Sequence, residues 1–207
     1  MEILITVFEY IGIFAFAVSG AITAMKERLD LFGVYCVACI SALGGGVLRD
    51  VVADNGVPAF FSSYPPVIMV IAAATLMLLM RERLRLGALF VLLDAAGLAV
   101  FVVSAGMRGI EAGYNFMLFI FVASITGVGG GILRDIVCNR KPDVFQRDIY
   151  TLAGIIGAGV LWVLYGRLGH ITAMWLSMAV IIAIRMICYY FHVNLPSIKY
   201  RSPSVKP

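Results

Sequence analysis

Apolar residues come in seven long stretches, at positions 3–25, 31–53, 66–80, 86–107, 114–137, 149–165 and 171–191, separated by short segments rich in Arg, Lys, Asp, Gly and Pro. A helix needs about 20 mostly apolar residues to cross a hydrocarbon core about 30 Å thick, so each stretch is a candidate span. The third is short, and crosses if Phe60, Phe61 and Tyr64 sit at one interface while Arg81 snorkels at the other. None shows the alternation over about ten residues that marks a membrane β-strand, which excludes a barrel. The pattern predicts an all-α membrane protein of seven transmembrane helices.

Composition agrees with the pattern: 62% of the 207 residues are hydrophobic, 14% are charged, and the mean hydropathy is +0.99. A soluble domain carries about 25% charged residues and could not bury this much apolar surface. The opening Met1-Glu2 brings no basic stretch, so the first apolar segment reads as a retained helix and not a cleavable signal.

Basic residues orient the spans, because cytoplasmic loops retain Lys and Arg during insertion. Lys26, Arg28, Arg81, Arg83, Arg85, Arg140, Lys141, Arg147, Lys199, Arg201 and Lys206 fall on one face of a seven-span arrangement, and only Arg108 and Arg167 on the other. The N-terminus is therefore placed outside and the C-terminus in the cytoplasm. The net charge of +4 reports this topology; nucleic-acid binding would call for a clustered basic surface with interleaved aromatics. The tail, 193–207, carries Pro196, Pro203 and Pro207 without apolar periodicity and reads as disordered, with its basic residues free to touch anionic lipid headgroups.

The chain repeats itself. Leu43-Gly44-Gly45-Gly46-Val47-Leu48-Arg49-Asp50-Val51-Val52 recurs as Val128-Gly129-Gly130-Gly131-Ile132-Leu133-Arg134-Asp135-Ile136-Val137, an offset of 85 residues at which Glu9 also meets Asp94, Gly12 meets Gly97, and Ser19 meets Ser104. The expected organisation is a first three-helix repeat at 1–85, a second at 86–170, a seventh helix at 171–192 and the tail at 193–207. Three crossings are odd, so the second copy starts on the opposite side and the two are inverted about an axis in the membrane plane, as in transporters and channels with a midplane site.

Candidate chemistry gathers where the repeat is strongest. Three successive glycines cost roughly 3 kcal/mol of helix propensity, so Gly44, Gly45 and Gly46, and likewise Gly129, Gly130 and Gly131, are expected to break their helices and line a cavity. Arg49 and Arg134 follow the breaks, and a buried arginine needs a carboxylate, a carbonyl or water. Asp50 and Asp135 are adjacent to them but point about 100° away on a helix, which favours pairing across the repeats, with Glu9 and Asp94 as further acidic partners. Cys36 and Cys39 read as small buried residues rather than a redox or metal pair, and His170 and His192 have no cysteine at ligand spacing, so no metal site or cofactor is expected. No nucleophile, base and orienter share one depth, which argues against an enzyme.

The twice-repeated Gly-Gly-Gly-x-x-Arg-Asp, the three-plus-three-plus-one spans and the outside N-terminus resemble a prokaryotic member of the trimeric intracellular cation (TRIC) channel family, whose bacterial members are also known as an uncharacterised membrane family with proposed glycine transporters. The resemblance implies a homotrimer in the bacterial inner membrane, one pore per protomer where kinked helices two and five cross, and potassium as the permeant ion, held transiently at the glycine kinks. It implies that Gly44 to Gly46 and Gly129 to Gly131 are the kinks and that Arg49 and Arg134 are the midpore basic residues. In the channel reading Asp50, Asp135 and nearby carbonyls offset the arginines, while Ser41, Ser124 and Thr126 offer oxygens to the ion. In the transporter reading the arginines hold the carboxylate of glycine and Asp94 its ammonium, within the same cavity.

Overall fold

The computed structural model describes residues 2–53, 56–80, 87–146 and 149–193. They form helices α1 (Glu2–Lys26), α2 (Leu31–Val52), α3 (Pro65–Met80), α4 (Gly87–Glu111), α5 (Phe116–Val137), a single turn α6 (Asp143–Gln146), α7 (Tyr150–Tyr165) and α8 (His170–Phe191), with a 3-10 turn at Ala59–Ser62. The described chain is all-helical, and it is an integral membrane protein by the length and apolar character of its helices. Five of the described helices are long and apolar enough to cross a bilayer; at 1.5 Å per residue, 22 residues reach about 33 Å. Pro65–Met80 and Tyr150–Tyr165, at 16 residues each, reach only about 24 Å. The expected basic loop at Arg81, Arg83 and Arg85, Arg147, and the expected disordered tail beyond Val193 lie outside the described residues.

Equivalent signals set the helix ends in both halves of the chain. α1 closes with Arg28 in the left-handed region, φ 58°, and α4 closes with Gly113 at φ 73°. The residue after each returns its N–H to a carbonyl five back, Leu29 to Ala24 and Tyr114 to Gly109, a closure that satisfies orphan carbonyls of the last turn. Asp30 then caps α2 by accepting from Gly33 N at 2.7 Å, and Asn115 caps α5 by accepting from Leu118 N at 2.9 Å.

Contacts at the helix ends give the direction of each helix. At one end Glu27 meets Arg140 at 3.7 Å, the Tyr35 hydroxyl meets Thr75 at 2.9 Å, and Lys26 lies over Phe90. At the other, Glu9 meets Arg108, Tyr165 meets Glu111 at 3.4 Å, and Phe8 abuts Trp175. Leaving aside the single turn α6, each helix reverses the direction of the one before it. Helices α1, α2, α4 and α5 form the centre, and α3, α7 and α8 pack around them. The apolar residues that face outward include Leu79, Met117 and Phe32, three-quarters or more exposed, a surface suited to lipid.

The expected breaks at the glycine triplets are absent: α2 and α5 run as unbroken helix through 44–46 and 129–131. Glycine is costly in an isolated helix, but it permits the closest approach of two backbones, and that approach is what the sequence uses here. A Cβ at Gly45 would run into the carbonyl oxygen of Thr126, and a Cβ at Gly130 into the carbonyl oxygen of Ser41. One at Gly44 would lie 2.8 Å from Leu133 Cδ1, and one at Gly129 2.7 Å from Leu48 Cδ1. Gly12 and Gly97 fit against Phe101 and Phe16 in the same exchanged manner. Contacts that swap partners when 85 is added are those a two-fold relation produces.

Candidate functional site

Two charged clusters flank this glycine crossing. The first is built by Glu9 on α1, Arg49 and Asp50 on α2, and Arg108 on the last turn of α4. Arg49 Nε donates to Asp50 Oδ1 at 2.8 Å, Arg49 Nη1 stands 3.7 Å from Glu9 Oε1, and Arg108 Nη2 donates to Glu9 Oε2 at 2.7 Å. Two cavities, of about 240 and 210 Å³, meet here, and Arg49, Asp50 and Arg108 line both. The smaller one is also walled by Glu9, Gly46 and Phe101. Arg108 keeps 46% of its side chain exposed, against 11% for Arg49 and 17% for Glu9.

The second cluster repeats the first at greater burial. Asp94 on α4, and Arg134 and Asp135 on α5, are the 85-residue equivalents of Glu9, Arg49 and Asp50. Arg134 Nε donates to Asp135 Oδ1 at 2.9 Å, and its Nη1 donates to Asp94 Oδ1 at 3.0 Å and to the Ser19 hydroxyl at 2.7 Å. Ser19 in turn donates to Asp94 Oδ1, and the Asp143 backbone N–H donates to Asp135 Oδ2, so α6 ties onto the end of α5. Arg185 on α8 places Nη2 4.0 Å from Asp94 Oδ2 and its guanidinium 4.3 Å over the Tyr150 ring. These side chains are all but fully buried.

Ionised carboxylates and guanidiniums are worth most to one another in such dry surroundings, and removing one partner strands the other. Just beyond α5, burial pushes the Cys138 thiol above its ordinary range, and the Asp135 carboxylate adds to the effect. A thiol so placed stays protonated and unreactive at neutral pH.

Several expectations change on contact with this geometry. The adjacent pairs Arg49–Asp50 and Arg134–Asp135 do form, because a long arginine folds its Nε back across the turn and does not stay along its Cβ direction. Arg49 and Arg134 reach Glu9 and Asp94 within their own copies, while Arg108 on Glu9 and Ser19 on Arg134 and Asp94 pair across the copies. Between Gly45 and Gly130 the backbones touch, which leaves no room for an ion between α2 and α5 at that level. Of the six triplet glycines only Gly46 lines either cavity, and Ser41, Ser124 and Thr126 line neither. The Thr126 hydroxyl donates to Val122 O at 2.6 Å, within its own helix.

Arg108 and Arg185 carry roles that the sequence reading did not assign. Arg108 was expected on the outer face, beyond a fourth span ending at residue 107; α4 continues to Glu111 and turns it inward to Glu9. Arg185 is an ionisable residue within the apolar helix α8, a placement that by itself points to a role.

The family model described as "Glycine transporter" matches residues 6–82 and 91–166, one match on each three-helix copy. The chain belongs to the glycine transporter family. Relatives of the glycine transporter family chain include a "UPF0126 membrane protein" of Deinococcus radiodurans, 37% identical over 159 residues that cover 75% of this chain and 74% of the relative. The "UPF0126 inner membrane protein YadS" of Escherichia coli strain K12 is 34% identical over 194 residues, 91% of this chain and 93% of that protein. Among solved structures, one reported for conductance through TRIC cation channels superposes with a TM-score of 0.87 at 30% identity, covering 96% of this chain and 98% of that one. The glycine transporter family fold seen here is thus the TRIC fold.

Proposed function

We propose that this chain conducts monovalent cations, potassium foremost, through one path in each protomer of a homotrimer in the bacterial inner membrane. The observation that carries the reading is the likeness, over nearly the whole chain, to a solved TRIC cation channel at 30% identity. All seven longer helices span, with the N-terminus outside and the C-terminus in the cytoplasm, and residues 1–85 and 86–170 are inverted copies about an axis in the membrane plane. The alternating helix directions and the exchanged glycine contacts support that arrangement.

Because Gly45 and Gly130 close the crossing, the path runs beside it. It enters the cavities at Arg49, Asp50, Glu9 and Arg108, passes the Gly46 face of α2, and ends at the buried cluster of Arg134, Asp94 and Asp135. The carboxylates in each cluster offset the arginines, which alone would repel a cation.

A second reading, transport of glycine or another small amino acid, is favoured by one feature: the cavities carry guanidinium and carboxylate groups together, as a zwitterion requires. Reconstitution into liposomes separates the two. The channel reading predicts potassium current in planar bilayers, no accumulation of labelled glycine, and loss of current in Gly46→Leu, whose side chain would project into the smaller cavity where nothing lies within 4 Å of a Cβ. Vesicles that accumulate glycine and carry no potassium current would refute it.

A further inference from the structure

Both charged clusters contain two carboxylates and two arginines, but only three of the four come from equivalent positions. Glu9, Arg49 and Asp50 correspond to Asp94, Arg134 and Asp135 at the 85-residue offset; the fourth charge does not follow the repeat. In the first cluster it is Arg108, from α4, whose counterpart on α1 is Thr23, bonded to its own helix at Ser19 O. In the second it is Arg185, from α8, a helix outside the recurring segments. Had the second copy kept only the repeated residues, Asp94, Asp135 and Arg134 would leave one uncompensated negative charge in a site whose side chains are about 5% exposed or less. A buried carboxylate in that state either takes up a proton or binds a cation.

Arg185 meets that need in a particular way. Its Nη2 faces Asp94 Oδ2, the oxygen opposite the one that Arg134 and Ser19 use, and its guanidinium rests on the Tyr150 ring. The position equivalent to Tyr150 in the first copy is Pro65, so this aromatic support does not follow the repeat either. Arg108 is nearly half exposed and borders two cavities, whereas Arg185 is buried. The first arginine can swing into water; the second can leave Asp94 only if α8 shifts.

We propose that Arg185 is a tethered counter-cation: from α8 it fills, on Asp94, the place that a permeating monovalent cation would take, and so keeps this end of the path closed to ions. The flux consequence rests on the cation-conduction reading above; the occupancy consequence does not. The full-length protein, purified in detergent, is melted in increasing potassium chloride and, at matched ionic strength, in choline chloride. Arg185→Met should gain potassium-dependent stability, roughly 3 °C or more once potassium exceeds its Kd about tenfold. Wild type and the charge-balanced Arg185→Met/Asp94→Asn should show none.

In bilayers Arg185→Met should raise potassium current several-fold over wild type. If the wild type carries no current but Arg185→Met still acquires potassium-dependent stability, the channel reading fails and the assignment of Arg185 stands. A melting curve for Arg185→Met as indifferent to potassium as the wild type overturns the proposal. Should Arg185→Met fail to fold in either salt, Arg185→Lys, with its shorter reach to Asp94, must show a weaker potassium dependence, and its absence there overturns the proposal equally. A purely structural arginine would lower stability in both salts alike.

Discussion

Two adjacent glycines in the first triplet should respond in opposite directions to the same methyl group. At Gly45 the added Cβ meets the Thr126 carbonyl oxygen, part of the α5 backbone, so it can be accommodated only by separating α2 from α5. Overpacking of a well-packed contact costs about 1–3 kcal/mol, and backbone obstruction belongs at the upper part of that range. Helix propensity returns up to about 1 kcal/mol when glycine becomes alanine, so Gly45→Ala should lose about 1–2 kcal/mol net. At Gly46 nothing lies within 4 Å, and Gly46→Ala should gain about 0.5–1 kcal/mol from the same propensity term.

The neighbours should therefore differ by roughly 1.5–3 kcal/mol, or about 3–12 °C in melting temperature for a chain of this size. The second triplet repeats the experiment, with Gly130→Ala blocked by Ser41 O and Gly131→Ala in ordinary contact with Tyr150 and Arg134. In the double substitution Gly45→Ala/Gly130→Ala the loss should fall short of the sum, since both methyls push apart the same two helices. Thermal unfolding in detergent, followed by circular dichroism, measures all of these. Equal melting temperatures for Gly45→Ala and Gly46→Ala would show that the carbonyl contact does not set the distance between α2 and α5.

Arg134→Met should cost about 3–5 kcal/mol in unfolding by denaturing detergent, because it strands Asp135 in a dry site and leaves Asp94 only Ser19 and the more distant Arg185. Arg49→Met should cost no more than about 1–2 kcal/mol, since Glu9 keeps Arg108 and the cavities supply water. Asp30→Ala and Asn115→Ala each remove a side-chain acceptor from the first turn of α2 or α5 and should each lose about 1 kcal/mol in the same assay, by similar amounts because the two caps are equivalent.

The seven longer helices were legible to within a few residues, since apolar length is a property of the segment itself. The twofold exchange of contacts was legible too, through the 85-residue offset that carries Gly12 to Gly97 and Ser41 to Thr126. What misled was the glycine triplet. Propensity describes an isolated helix, and whether Gly45 breaks a helix or admits a neighbour depends on what lies opposite, which is Thr126, far away in sequence. Arg49 and Arg134 do pair with the carboxylates named from the sequence, Asp50, Glu9, Asp135 and Asp94, but not with the preference for the opposite copy that helix geometry suggested. A Cβ direction fixes where a short side chain points, but Arg49 and Arg134 are long enough to fold back onto the next residue, and Arg108 and Arg185 reach carboxylates on other helices.

Water, more than charge, distinguishes the two ends of the proposed path. Each cluster balances two carboxylates against two guanidiniums, so net charge alone gives a cation no reason to prefer either. At the first cluster, cavities border Arg49, Asp50 and Arg108, and a cation that displaces Arg108 from Glu9 releases an arginine already half in solvent. At the second, displacing Arg134 or Arg185 from Asp94 would leave a guanidinium among Ser19, Tyr150 and the packed faces of α5 and α8, where each unpaired charge costs several kcal/mol. On the proposed path, the higher barrier is therefore expected at Asp94. It can fall only if the arginines there find water, and α8, which packs from outside against α4 and α7, is the helix whose movement would admit it without opening the glycine crossing.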